Sequence, residues 1–160
     1  IREIAALRQN PVHAADIAIK GTQKIAGIYG RCVELELLIE PVEADRIFNS
    51  FEIFFAQDQT HHSSISFHPS ESLLTIDRTW SGTRRAFIHE RSARVGHQNG
   101  KIALRLILDR FSAEVFVNGG EQALSMTIYT DQTADGISFS CNDGARIKVT
   151  KYDLRRVAQP

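Results

Sequence analysis

Hydrolysis of a glycosidic bond needs two carboxylates held about 5 to 9.5 Å apart, one to donate a proton and one to attack or to activate water. Asp77, Asp109 and Glu114 are the acidic residues set in ordered surroundings. Asp77-Arg78 and Asp109-Arg110 each close a strand-like run, where an aspartate can accept hydrogen bonds from turn amides and an arginine can tie down a carbonyl oxygen. Turn architecture accounts for both pairs, and no spacing forces two of these carboxylates into one cleft, so no catalytic residue is assigned. His61, His62 and His68 form a local cluster, but adjacent side chains of an extended segment point to opposite sides and no acidic ligand completes a metal site. G-x-S-x-G, phosphate-loop and dinucleotide fingerprints are absent, and neither metal nor cofactor is expected. Trp80 is the one tryptophan and stands in the polar stretch 77–85 beside Arg84 and Arg85. Exposed, the three would make a sugar or protein contact; folded back, Trp80 would plug the edge of the fold.

The elements that must carry these residues alternate with period two. In the run 31–41, Val33, Leu35, Leu37 and Ile39 face one way and Glu34, Glu36 and Glu40 the other, the pattern of a strand with one wet face. Phe51, Ile53 and Phe55 share a side in the more apolar run 48–56, with Phe54 on the reverse. Further strands are expected over 16–23, 63–68, 72–77, 86–91, 101–108, 113–117, 123–129, 136–141 and 145–154. Turn residues fall between them: His68-Pro69-Ser70, Gln98-Asn99-Gly100, Asn118-Gly119-Gly120 and Asn142-Asp143-Gly144. Short strands at this spacing predict an all-β sandwich or barrel, and the form expected is a two-sheet antiparallel β-sandwich of jelly-roll or concanavalin type. A helical pattern occurs only over 1–8, closed by Asn10-Pro11, and reads as a short linker element. The division expected is a linker over 1–12 and a sandwich over 13–160.

The stretch 101–129 is the most specified. With a four-residue loop over 109–112, Leu108 lies opposite Ala113, Leu106 opposite Val115 and Leu104 opposite Val117, six apolar side chains on one face. On the reverse face Arg105 meets Phe116 and Ile107 meets Glu114, which leaves Arg105 and Glu114 diagonal and within reach of an ion pair.

The 160 residues suit one domain with a sizeable core. Lysine plus arginine balance aspartate plus glutamate at 19 each, so no net field favours nucleic acid, and no apolar run approaches the roughly 20 residues of a bilayer span. The chain opens on Ile1 without a signal layout, as a piece of a longer polypeptide would. Cys32 and Cys141 make no disulfide framework and read as free thiols. Their separation is too large for the Cys…Trp…Cys order of an immunoglobulin domain.

The run Leu104-Arg105-Leu106-Ile107-Leu108-Asp109-Arg110-Phe111-Ser112-Ala113-Glu114-Val115-Phe116-Val117-Asn118-Gly119-Gly120-Glu121 resembles the C-terminal β-sandwich of glycoside hydrolase family 32, the invertases, levanases and sucrose-6-phosphate hydrolases. Leu74 to Gly82, with Asp77-Arg78 and Ser81-Gly82, is similar to that module's Asp-Arg…Ser-Gly segment, and 1–8 to the segment that joins it to the catalytic domain. Trp80 departs from the family pattern after the Asp-Arg pair. The resemblance implies that the active site lies on a separate five-bladed propeller, in Asn-Asp-Pro, Arg-Asp-Pro and Glu-Cys motifs. This chain has no Asp-Pro and no Glu-Cys dipeptide, so the reaction would belong to the parent, a β-fructofuranosidase-type hydrolase of sucrose, sucrose 6-phosphate or fructans. The implied role is docking on, or stabilising, the propeller of the same polypeptide. A second subunit and a sugar are further candidate partners, and a carbohydrate-binding or lectin-like module is the alternative role.

Overall fold

In the computed structural model, which describes residues 2–82 and 88–155, a short helix α1 (Arg2–Ala5) leads into ten strands. These are β1 (Arg8–Gln23), β2 (Val33–Pro41), β3 (Phe51–Gln57), β4 (Ser63–His68), β5 (Leu73–Asp77), β6 (Glu90–Arg94), β7 (Ile102–Leu108), β8 (Ser112–Val117), β9 (Gln122–Thr127) and β10 (Gly136–Leu154). Every pairing is antiparallel. The β7–β8 register is the expected one, Leu104 with Val117, Leu106 with Val115 and Leu108 with Ala113, and all six side chains are buried.

The two sheets of the sandwich share one ribbon. The first half of β10 pairs with β3, which continues through β4 and β5 to β6; its second half pairs with β2, which continues through β7 and β8 to β9. β1 accompanies β10 along both halves. Asn142-Asp143-Gly144 is therefore not the hairpin turn that its composition suggests. It is the corner of β10, with Cys141 opposite Gly21 and Ala145 opposite Ile19, so that three residues stand against Lys20 alone. Asn and Gly suit a bulge for the same reason that they suit a turn, tolerance of backbone shapes other residues resist.

β1 is also longer than expected, because Asn10-Pro11 and Asp16 are bulges rather than boundaries. Register shifts fall at Gln9/Val12, Ala14/Ile17 and Ile19/Gly21, and Asn10, Asp16 and Gly21 have φ of 47°, 55° and 74°. A proline lacks the N–H a ladder needs, and a bulge on an outer strand absorbs that loss. The helix correspondingly stops at Ala5 instead of reaching Arg8, and residues 8–12, expected as linker, hydrogen-bond in the sheet. The strand expected over 86–91 begins at Glu90, where Asp77 supplies its partner; residues 86 and 87 lie outside the described set.

Between the sheets lie Leu35, Leu37, Ile39, Phe51, Ile53, Phe55, Ile65, Phe67, Phe139 and Val149, all buried. Phe48 stands edge-on to Phe51 and Phe67, ring centroids 6.3 and 6.1 Å away, a favoured aromatic arrangement.

Candidate functional site

The chain leads in at one end of the sandwich, and the loops that meet there carry most of the exposed apolar surface. The N–H of Arg155 donates to the carbonyl of Leu7, fixing both ends of the described chain at that pole. Five of the seven large hydrophobic side chains left exposed among the described residues belong to its loops: Tyr29, Trp80, Ile88 and Phe111 at 57–59% and Tyr129 at 38%. The other two, Val42 and Ile47, lie at the opposite pole beside Gly144 and Gly100.

Aspartates build these loops. Asp58, Asp77 and Asp131 are each followed two residues later by a threonine, whose backbone N–H and hydroxyl both donate to Oδ1 of the aspartate. The same Asp-x-Thr turn thus opens the β3–β4 and β5–β6 connections and recurs in the middle of the β9–β10 connection. Short side-chain-to-backbone bonds of this kind satisfy turn amides that no ladder can reach. Hydrogen bonds from the Thr60 and His61 amides hold the Asp58 carboxyl down to about 2. Asp109 accepts the N–H of Arg110 at 2.7 Å in the β7–β8 loop.

Arg31 pins two of these loops together. It is buried, and its guanidinium donates to the carbonyls of Arg110, Thr130, Asp131 and Ala134 and to the Thr130 hydroxyl at 2.8–3.3 Å. Burial pushes its pKa below the ordinary arginine value. Arg78 closes the side of the same pole: it donates to the Thr127 hydroxyl and to the Ile88 carbonyl, and its guanidinium lies 5.8 Å from the centre of the Tyr129 ring. Next to it a hollow of about 440 Å³ opens between Ile76, Ile88, His89, Met126 and Tyr129.

A second charged centre lies on the outer face of the sheet that contains β2. Glu34 alternates away from the core, as its position in the strand dictates, yet it has no exposed surface. Arg8 grips it with Nε to Oε2 at 2.9 Å and Nη2 to Oε1 at 2.7 Å, and Arg105 donates to Oε1 from the other side. Arg8 stacks on Tyr152 at 4.4 Å, and Arg105 lies 6.0 Å from Phe116. Burial alone pushes the Glu34 carboxyl up, but the arginine hydrogen bonds and charges together overcome it and hold the carboxyl below its ordinary value. Bonding to Glu34 is likewise the main cause that raises Arg8. The expected partnership of Arg105 with Glu114 is thus corrected: Arg105 turns to β2, where a buried carboxylate offers more than an exposed one on β8.

Of the side chains singled out from the sequence, the structure gathers Asp77, Arg78, Trp80, Asp109 and Arg110 at the chain's leading-in pole. Arg84 and Arg85 lie outside the described residues. Trp80 stands in solvent and does not plug the sandwich edge. His61 bonds Asp58, His62 packs edge-on to Phe54, and among the described residues no group of three His, Cys, Asp or Glu side chains is arranged to hold a metal. Neither Cys32 nor Cys141 is in a disulfide; Cys141 is buried, and burial raises its pKa, while Cys32 is only partly covered and its thiol donates to Oδ1 of Asp109 at 3.7 Å. Arg31 and Glu34 were missed, and a single signal existed for the pair: charged residues inside or beside an otherwise apolar strand.

Comparison with known proteins gives a consistent result. The family model described as "Glycosyl hydrolases family 32 C terminal" matches residues 3–155. A sucrose-6-phosphate hydrolase of Staphylococcus xylosus is 30% identical over 156 residues, covering 97% of this chain and 31% of that protein. A levanase of Bacillus subtilis is 28% identical over 141 residues, 83% of this chain and 20% of the levanase. The chain therefore spans less than a third of either relative. An exo-inulinase structure from Aspergillus awamori superposes with a TM-score of 0.80 at 18% identity, over 94% of this chain and 31% of that one, a likeness of fold.

Proposed function

The chain belongs to the family of glycosyl hydrolase family 32 C-terminal domains, and from that premise we propose that it is the non-catalytic β-sandwich of a β-fructofuranosidase-type hydrolase, docked through its loop-rich pole on a catalytic propeller that precedes it in the longer polypeptide. The observation that carries this reading is the gathering of Tyr29, Trp80, Ile88, Phe111 and Tyr129 at the pole where residues 2–7 lead in. Exposed apolar side chains scatter on an ordinary surface, and their concentration marks a contact. Tethering adds to the effect, since a domain on a short linker meets its partner at high effective concentration. The helix α1 and the residues up to Leu7 are the linker on this reading, and β1 begins the sandwich.

Removing the sandwich from the longer polypeptide should lower its thermal stability or its yield of folded protein alike for every substrate tested. Loss of activity on polymeric substrates alone, with stability unchanged, would instead make the domain a polymer-binding module. One observation favours that second reading, the exposure of Trp80, two residues after the Arg78 that lines a hollow together with Tyr129. A sugar stacked on a single ring gains about 1–2 kcal/mol, less than the roughly 4 kcal/mol or more lost in association freedom. Titration calorimetry of the chain with sucrose, fructose and a fructan is therefore expected to show nothing tighter than millimolar. A micromolar affinity that disappears in Trp80→Ala would overturn docking in favour of carbohydrate binding.

A further inference from the structure

Three exposed aromatic residues of the docking pole adjoin in sequence either one buried side chain or the groups that accept its hydrogen bonds. Tyr29 precedes Arg31 by two residues in the β1–β2 connection. Phe111 follows Arg110, whose carbonyl accepts Nε and Nη2 of Arg31 at 3.3 and 3.0 Å. Tyr129 precedes Thr130, whose carbonyl and hydroxyl accept Nη2 and Nη1 at 2.9 and 2.8 Å. The carbonyl of Phe111 itself receives the N–H of Ile128, and Gly30 donates to Asp135 at 2.8 Å, so the three connections are stitched to one another on both sides of the guanidinium.

We infer that Arg31 is the positioning residue that sets the spacing of Tyr29, Phe111 and Tyr129 and so makes the pole one preformed contact plate for the polypeptide that precedes the chain; this rests on the docking reading above. The chemistry of the hub favours geometry over stability. The acceptors of Arg31 are carbonyl oxygens and one hydroxyl, which do not offset the cost of burying a cation as a carboxylate would. An apolar side chain would fill the space without that cost, but it could not hold the carbonyls of two other loops. Lysine keeps the charge but lacks the planar fork that spans both loops at once. Loops already fixed in their bound arrangement lose less freedom on contact, and aromatic side chains, with few rotatable bonds, add little more.

The test combines the chain itself with the longer polypeptide. In Arg31→Lys the sheets should stay folded, while amide hydrogen exchange of residues 109–112 and 128–135 accelerates by about tenfold or more, and residues 33–41 and 102–108 exchange as before. Thr130→Val, which removes one acceptor and little volume, should accelerate the same amides by a smaller factor and serves if Arg31→Lys does not fold. In the longer polypeptide Arg31→Lys should split a joint thermal transition of sandwich and propeller into two, as the triple variant Tyr29→Ala, Phe111→Ala, Tyr129→Ala should. Unchanged exchange in the loops of both single variants would overturn the hub. Faster loop exchange with an intact joint transition would reduce Arg31 to a local brace and overturn its positioning role. If the triple variant also left the joint transition intact, it is the docking reading of this pole that fails.

Discussion

Arg31 and the Arg8–Glu34–Arg105 centre are two answers to the same problem, a guanidinium withdrawn from water. Around Glu34 the charge is matched by charge, and the usual direction of each shift follows: the carboxyl is held low and Arg8 is raised. Around Arg31 it is matched by the dipoles of carbonyl groups, and burial wins, lowering the arginine. The first centre ties strands β1, β2 and β7 that the ladder already holds; the second ties loops that lie outside the ladder. The difference separates a polar centre that stabilises a sheet from one that shapes a surface.

The scale for any such comparison is set by Leu106, on the core side of β7 one residue from Arg105. Leu106→Ala should destabilise the chain by about 2–5 kcal/mol through lost burial and a cavity, read as a shift of the urea midpoint. A loss below about half a kcal/mol would mean that the β7–β8 face is not the core.

Next in size, Glu34→Gln removes the buried carboxylate that two arginines share and leaves Arg8 the partly exposed Glu36 as its remaining ion-pair partner among the described residues. A loss of about 2–4 kcal/mol is expected, near the lower end for a broken buried pair because the arginines keep a quarter of their surface in water. Replacing the set together, with Arg8→Met, Glu34→Leu and Arg105→Met, should come within about 1–2 kcal/mol of the parent chain. If the single and the triple replacement cost the same, the centre contributes by net attraction, which sharpens the contrast with Arg31.

Acid should separate the two regions. Glu34 is held below its ordinary value of 4.5 in the folded chain, so its contribution is complete above that value and is lost as pH falls through the lowered one. Asp58 holds its proton off until about 2, so the Asp-x-Thr turn at that loop keeps its hydrogen bonds while the pH falls towards that value. Global unfolding followed by circular dichroism from pH 5 to 2 should show falling stability, while the Thr60 and His61 amides stay protected for as long as the chain is folded. Exposure of those amides before the sheet amides would reverse the order.

The smallest effect is the most pointed. Glu114→Ala should change stability by no more than about 0.5 kcal/mol, because Arg105 bonds Glu34 and not Glu114. A double-mutant cycle between Arg105 and Glu114 with a coupling above about 1 kcal/mol would restore the partnership that the hairpin alone suggests.

Much of this architecture was legible without coordinates. Leu104, Leu106 and Leu108 met Val117, Val115 and Ala113 because a short loop leaves a hairpin one register, and a slip by one would turn the whole apolar row to water. The alternation of Val33 to Ile39 placed the core face of β2 for the same reason, and the Asp-Arg and Asn-Gly-Gly segments carried the family resemblance. Asn10-Pro11 and Asn142-Asp143-Gly144 were misread, since bulges and turns draw on the same residues and only the partner strand tells them apart.

What the sequence determined by itself was therefore local: strand periods, the β7–β8 register, the turn-forming Asp77 and Asp109, and the family to which the chain belongs. The tertiary structure alone decided that β1 and β10 form a ribbon shared by two sheets, that Glu34 disappears beneath Arg8 and Arg105, and that Arg31 meets Thr130 across 99 positions of chain. Period and turn chemistry act over a few residues, whereas which strand lies beside which, and what covers an outward-facing side chain, depends on contacts between segments far apart in sequence, to which no local pattern refers.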